Sequence, residues 1–235
     1  MKVLLLAAGL GTRLRPLTDT VPKCLMPIHD EPLLGIWLRR LAQASCGPFL
    51  VNTHYLAEQV ERFIASSPFC EQVTVVREPD LLGTAATLIA NLDFFGDEDG
   101  ILIHADNYCL ADLEAFIAAH RARPAECVMS MLTFRTETPS SCGIVTLDAR
   151  NVVVQFEEKQ AAPNGNLANG AIYILSAALL AQLRMCGPEI TDFSTQVLPS
   201  LMGRIYAVET DQPLIDIGTP QAYALANALP ETCDT

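Results

Sequence analysis

The chain has 235 residues and a formal charge of −12, with 27 acidic residues against 15 basic ones. Half of the residues are apolar and 18% are charged. This composition excludes a disordered chain, is ample for a buried core, and offers no basic surplus to neutralise nucleic-acid phosphates.

In chain order, Lys2–Ala7 is a continuous apolar run of strand length that ends in a glycine-rich turn. Lys2 ahead of L-L-L-A-A resembles a signal peptide, but Gly9 and Gly11 interrupt the run and Arg13 follows at once, so a buried first strand is expected. The apolar stretches Val3–Leu10 and Ala171–Leu183 fall short of the roughly 18 residues of a membrane span. Leu33–Ala44 has a helical period, with Leu34, Trp37, Leu38 and Leu41 on one face. Phe49–Thr53 reads as a strand, Leu56–Ala65 as a helix, Gln72–Arg77 as a strand and Thr84–Leu92 as a helix behind Gly83. Gly100–Ala105 is a third apolar strand. Asp112–Arg121 is an amphipathic helix with Asp112 as its N-terminal acid, and Cys127–Phe134 is another strand. This alternation predicts a doubly wound α/β fold with a mostly parallel sheet.

After about Arg135 the texture becomes β-rich. Strands are expected at Gly143–Leu147, Val152–Glu157 and Ala168–Leu175, then helical pieces at Ser176–Leu183 and around Phe193–Ser200. Strands near Arg204–Glu209 and Pro213–Asp216 and a helix at Thr219–Ala228 complete the pattern, which makes the sheet mixed overall. The expected organisation is one domain over residues 1–229, an α/β half to about 134 and a β-rich half from about 135, with a loose tail at 230–235. The eight cysteines form no C-x-x-C pair, which argues against zinc or a disulfide framework and for reduced thiols in a cytoplasmic protein.

The charge is uneven. Residues 1–23 hold Lys2, Arg13, Arg15 and Lys23 against Asp19 alone, a local +3 that hints at an anion site. Gly9 and Gly11 let backbone N–H groups approach a phosphate or a base, and Arg13 and Lys23 could supply charge to a polyphosphate. Alone, G-L-G-T-R-L is a weak signal. Leu14 stands where a dinucleotide fingerprint wants glycine or alanine, and a P-loop's G-K-[ST] is missing, so a structural glycine turn is the plain alternative. Asp106 and Asp216 each end a short apolar run. Two carboxylates from separate strand ends can share a Mg²⁺, although a lone aspartate there is more simply a cap. Only three lysines occur, Lys2, Lys23 and Lys159, beside twelve arginines.

The string Leu4–Ile28, with G-x-G-T-R-L-x-P-L-T followed by P-K-x-L-x-P-I, resembles the signature of sugar-1-phosphate nucleotidylyltransferases, the NDP-sugar pyrophosphorylases. Later blocks extend the resemblance in the family's order: Leu82-Gly83-Thr84-Ala85, His104-Ala105-Asp106-Asn107, Phe156-Glu157-Glu158-Lys159, Asn169-Gly170-Ala171-Ile172-Tyr173 and Asp216-Ile217-Gly218-Thr219-Pro220. The resemblance implies a Rossmann-like fold and attack of a sugar-1-phosphate on the α-phosphorus of an NTP, releasing pyrophosphate. It implies that Leu6, Ala7, Ala8, Gly9, Gly11, Thr12, Arg13, Lys23, Glu78, Gly83 and Thr84 bind the NTP. Arg13, Lys23 and Asp106 would act on the reacting phosphates, and Asp106 and Asp216 would hold Mg²⁺. Asn107, Gly143, Glu158, Lys159, Asn169 and Gly170 would bind the sugar phosphate. One departure is Gln160, where the family often has proline after Glu-Lys.

The Gly83-Thr84-Ala85 form is more similar to guanylyltransferases acting on mannose- or heptose-1-phosphate, with uridylyl transfer next. Glu78 either accepts from guanine N1–H and N2–H or is a solvated strand end. Asp106-Asn107-Tyr108 is also similar to choline-phosphate cytidylyltransferases, but Glu158-Lys159 and Asn169-Gly170 favour a sugar acceptor. A non-catalytic regulatory subunit of the same fold is the alternative. Retention of Arg13, Lys23, Asp106, Lys159 and Asp216 speaks against it. His104 reads as packing beside the metal block rather than as a catalyst. The expected partners are GTP or UTP and a sugar-1-phosphate, with no nucleic acid and no membrane; a homo-oligomer is left open.

Overall fold

The computed structural model describes residues 1–230, so most of the expected tail, and Cys233 with it, lies outside the described residues. The first strand, β1 (Lys2–Leu6), shows why the sheet forms. Val3 and Leu5 face one apolar layer and Leu4 the other, and all three are fully buried. Each such side chain contributes roughly 2 kcal/mol of burial. A strand apolar on both faces belongs in the middle of a covered parallel sheet.

A short ribbon, β2 (Pro27–Ile28) with β3 (Glu31–Pro32), leads into helix α1 (Leu33–Gln43). Leu34, Trp37, Leu38 and Leu41 lie on its buried face. Next come β4 (Phe49–Thr53), α2 (Ala57–Ser66) and β5 (Val73–Arg77). The single helix expected over Thr84–Leu92 is broken into α3 (Thr84–Ala90) and α4 (Leu92–Phe95). Asn91 causes the break, because its amide Nδ2 donates back to the Thr87 carbonyl at 2.8 Å and its backbone leaves helical geometry. Strand β6 (Gly100–His104) follows, then β7 (Asn107–Cys109), which the sequence reading missed. Helix α5 (Leu113–Arg121) is capped by Asp112, whose carboxylate accepts from Ala115 N–H at 2.9 Å.

The later strands are β8 (Met129–Arg135), β9 (Gly143–Leu147), β10 (Val153–Glu158), β11 (Leu167–Leu175), β12 (Ile205–Thr210) and β13 (Leu214–Asp216). Helices α6 (Ala177–Leu183) and α7 (Pro220–Ala228) are capped by Ser176 and Thr219. The helical piece near Phe193 is a π-turn, Phe193–Val197, running into a 3-10 turn, Leu198–Leu201.

The large sheet runs β10-β9-β11-β6-β1-β4-β5, with β8 paired to β11 and β12 paired to β8. Strands β6, β1, β4 and β5 are parallel, and β11 enters antiparallel to β6. The mixed, Rossmann-like α/β fold is as expected. One edge of β11 changes partner along its length. Its second half pairs with β6, whereas Ala168 pairs with Ile144 of β9. The register against β8 shifts between Asn169 and Tyr173, where Ala171 takes a φ of 53°. Outside this sheet, β13 pairs with β7, and Asp216 stands opposite Asn107.

Among the described residues, no helix is long and apolar enough to cross a membrane. The seven described cysteines are all free thiols.

Candidate active site

The turn after β1 carries little side-chain bulk. Ala7 N–H donates to Asn52 Oδ1 at 2.8 Å, and this locks the turn to the end of β4. Among the described residues, no backbone N–H from Ala8 to Thr12 donates to a protein acceptor, so five successive donors remain for a ligand. Gly11 has a φ of 62°, and a Cβ there would lie 3.0 Å from Thr18 Cγ2 and 3.3 Å from Lys23 Cβ. Thr18 Oγ1 donates to the Gly11 carbonyl at 2.7 Å. Gly9 faces open space.

Lys23 is brought under this turn and is buried. Its ammonium donates to Asp106 Oδ2 at 2.7 Å and to Asp216 Oδ1 at 2.6 Å. The β7–β13 ribbon makes this meeting. Asp106 directly precedes β7, Asp216 ends β13, and Ile217 N–H donates to the Asp106 carbonyl at 3.3 Å. Arg13 reaches the other oxygen of Asp216 at 3.1 Å, and the Gly218 N–H donates to Asp216 Oδ1 at 2.9 Å. A Cβ on Gly218 would lie 2.7 Å from Arg13 Nη2, so glycine lets the guanidinium lie across the ribbon.

Burial alone would lower the Lys23 pKa, but Asp106 and Asp216 outweigh it and hold the ammonium above the ordinary lysine value. Burial alone would raise Asp106, but the neighbouring Lys23 charge holds the carboxyl below the usual carboxylate range. Lys23 and Asp106 therefore face each other as a charged pair at neutral pH, and ion pairs join Asp216 to Lys23 and Arg13. No set of three His, Cys, Asp or Glu side chains among the described residues could hold a metal. The pair Asp106 and Asp216 fits a hard ion that takes one or two protein carboxylates and completes its shell with phosphate oxygens and water, as Mg²⁺ does. Cys24, next to Lys23, is no nucleophile, since burial pushes its thiol up to about 12.

A pocket of ≈ 180 Å³ opens beside the cluster. Of the residues expected to bind an NTP, Leu6, Ala7, Ala8, Gly9, Lys23, Glu78, Gly83 and Thr84 line it, together with Asp106. Gly11, Thr12 and Arg13 do not; they form the turn above it. Glu78 is buried, which corrects its reading as a solvated strand end. Its Oε1 accepts from Thr87 Oγ1 at 2.6 Å and from Asn52 Nδ2 at 2.9 Å, and its Oε2 accepts from Leu82 N–H at 3.3 Å. Asn52 and Thr87 were not singled out from the sequence. The available signal was the polar Asn52 directly after the apolar run F-L-V, in a strand that is buried throughout.

Gly83 has a φ of 93°, and a Cβ there would meet the Thr191 carbonyl oxygen at 2.5 Å. That carbonyl accepts from Ala85 N–H at 2.9 Å, and Thr84 Oγ1 accepts from Phe193 N–H at 2.8 Å. The Gly83 turn is thus clamped to the segment before the π-turn, and glycine is required by the protein's own backbone there.

The residues expected at the sugar phosphate lie on β7, β9, β10 and β11. Asn107 is buried and donates to the Gly170 carbonyl at 3.0 Å. Gly170 packs flush, since a Cβ would lie 2.9 Å from the Leu132 carbonyl oxygen. Asn169 donates to the Tyr173 hydroxyl at 2.7 Å and accepts from Ala171 N–H. Gly143 lies under Glu158, whose Oε2 would be 2.7 Å from a Cβ there. Lys159 stands at an exposed left-handed turn, φ 47°, with Glu158 3.4 Å from its ammonium. His104 also lines the pocket, and burial lowers its pKa, so the ring is neutral.

Residues 2–232 match the family described as Nucleotidyl transferase. The chain belongs to this family. A glucose-1-phosphate thymidylyltransferase of Streptomyces griseus is 30% identical over 93% of the chain and 58% of its own length. A mannose-1-phosphate guanyltransferase of Schizosaccharomyces pombe is 27% identical over 97% of the chain and 64% of its own length. The chain thus spans about three-fifths of the curated relatives it matches. The fold is also that of HddC from Yersinia pseudotuberculosis complexed with GMP-PN, at a TM-score of 0.80 and 24% identity over 96% of this chain and 97% of that one. The glycine turn and the Asp106 strand end sit at the carboxyl edge of the parallel strands, where open α/β sheets bind ligands.

Proposed function

We propose that the protein transfers a nucleotidyl group from an NTP to a sugar-1-phosphate, giving an NDP-sugar and pyrophosphate. The observation that carries this is the ion-paired cluster of Lys23, Arg13, Asp106 and Asp216 between the glycine turn and the pocket. Such a cluster serves a reaction in which two anions must meet.

The free N–H groups of Ala8–Thr12 and the Arg13 guanidinium cradle the β- and γ-phosphates. Lys23 is positioned for the α-phosphate, and Lys159, exposed and weakly paired, for the acceptor phosphate. Asp106 and Asp216 would hold a Mg²⁺, which would supply charge neutralisation where the two phosphates approach. A phosphate oxygen of the acceptor forms the new bond to the α-phosphorus while the bond to the pyrophosphate oxygen breaks. The acceptor is already an anion, so no general base is needed. Positioning and electrostatic stabilisation therefore carry the rate.

Guanylyl transfer to mannose- or heptose-1-phosphate is the favoured version, with uridylyl transfer next. Glu78 supports it, because a pocket carboxylate with acceptor capacity left on Oε2 suits a base edge bearing adjacent N–H donors. The test is pyrophosphate release from four NTPs against a panel of sugar-1-phosphates and choline phosphate, with Mg²⁺ present. Release confined to sugar acceptors supports the reading. Silence from folded protein overturns it in favour of a nucleotide-sugar-binding regulatory subunit.

A further inference from the structure

We propose that His104 is a specificity-determining contact for the acceptor, its imidazole hydrogen-bonding a hydroxyl of the sugar-1-phosphate. The assignment rests on the nucleotidyl-transfer reading above.

His104 is the last residue of β6, opposite Leu6 in register and two residues before Asp106. Its ring stands edge-on to Tyr173, with centroids 6.5 Å apart, and the Tyr173 hydroxyl accepts from Asn169. The imidazole therefore occupies the seam between the nucleotide pocket and the sugar-side strand β11. Its neighbours on β6, Ile101, Leu102 and Ile103, are all apolar and buried. A leucine would fill the same place without carrying a polar atom.

The imidazole carries two nitrogens, and neither meets a protein partner among the described residues; Nε2 is enclosed with none. Buried polar groups in folded proteins are nearly always satisfied, and an orphan in a pocket wall signals a partner that arrives with the ligand. A ring nitrogen donates to or accepts from a hydroxyl according to its tautomer. A sugar hydroxyl can take either role in return. Phosphate is the poorer match, because Arg13, Lys23 and Lys159 already supply the cationic donors. The base edge is the poorer match as well, because the pocket already presents the Glu78 carboxylate to it.

The test compares wild type with His104→Leu and His104→Asn by steady-state pyrophosphate release, varying each substrate in turn, and by urea unfolding without ligand. His104→Leu should raise the KM for the sugar-1-phosphate about tenfold and leave the NTP KM within about twofold. Its unfolding midpoint should equal or exceed wild type, since an unsatisfied nitrogen has been removed. His104→Asn should recover part of the sugar affinity, and it carries the comparison alone if the leucine variant fails to fold. Among monodeoxy sugar-1-phosphates, one should abolish the difference between wild type and variant. An unchanged sugar KM, or a rise confined to the NTP, overturns the assignment alone. Absence of transfer by wild type overturns the underlying reading and the assignment with it.

Discussion

Replacing Lys23 by methionine keeps the apolar stem and deletes the ammonium. The structure sets the size of the effect. Each of the two carboxylates lies within 2.7 Å of the nitrogen, whose side chain is 7% exposed. Removing one member of a fully buried ion pair costs about 3–5 kcal/mol. Asp106 and Asp216 are 37% and 47% exposed, so water takes up much of that loss. The expected destabilisation is therefore about 1–2 kcal/mol, or about 3–6 °C in Tm for a domain of this size. Turnover should suffer far more, by about 10²–10³, because the lost charge acts where negative charge gathers in the transition state. The ammonium also bridges the two carboxylates that would hold a divalent ion. Deleting it should tighten Mn²⁺ binding in the absence of nucleotide by about tenfold, read by electron paramagnetic resonance of free Mn²⁺. A Mn²⁺ affinity equal to wild type would show that Lys23 and the metal do not share this position. Turnover within about threefold of wild type would remove Lys23 from the reacting phosphates.

Three further outcomes follow from the same geometry. Lys159→Ala should raise the KM for the sugar-1-phosphate about tenfold without a change in Tm, because its side chain is 63% exposed; an unchanged KM would exclude the assigned role. Gly83→Ala should lower stability in urea by about 2–3 kcal/mol, since its Cβ would meet the Thr191 carbonyl, whereas Gly9→Ala, facing open space, should stay within about 0.5 kcal/mol; similar losses for both would refute the clamp. His120 is fully buried between Ser130 and Asp99, and burial lowers its pKa to about 4. Its folded pKa is depressed, so the unfolded chain binds the proton first. Stability should be intact above about pH 6.5 and fall by about 3 kcal/mol as the pH drops to 4, and a His120→Gln variant should show a flatter curve in that window.

The apolar strands were the most legible part of the sequence. Strands β1, β4, β6 and β9 each fall within a residue of their expected limits, because each is an apolar run closed by a glycine or a turn. Only half of the β7–β13 ribbon was legible: β13 falls within the expected Pro213–Asp216, whereas β7 was missed. Asn-Tyr-Cys has no period to read, and its partner lies in the other half of the chain. That ribbon decides which aspartates meet, so motif resemblance supplied what local pattern could not. Gly83 shows the converse. The motif marks the glycine, but only the fold shows that a carbonyl from residue 191 requires it. Asn52 and Thr87 were missed because their role is to hold another side chain, and such roles leave no spacing in the sequence.

The ribbon also sets an order of assembly. Asp106 leaves the ribosome with the parallel strands that support it, whereas Asp216 lies in β13, the last in chain order of the described strands. Until β13 docks on β7, Asp106 has no companion and Lys23 has a single counter-charge. A nascent chain that has reached Phe193 can close the Gly83 turn, but the clasp of Asp106, Lys23 and Asp216 needs β13 as well. A chain cut before residue 214 would keep most of its sheet while losing the clasp of Asp106, Lys23 and Asp216.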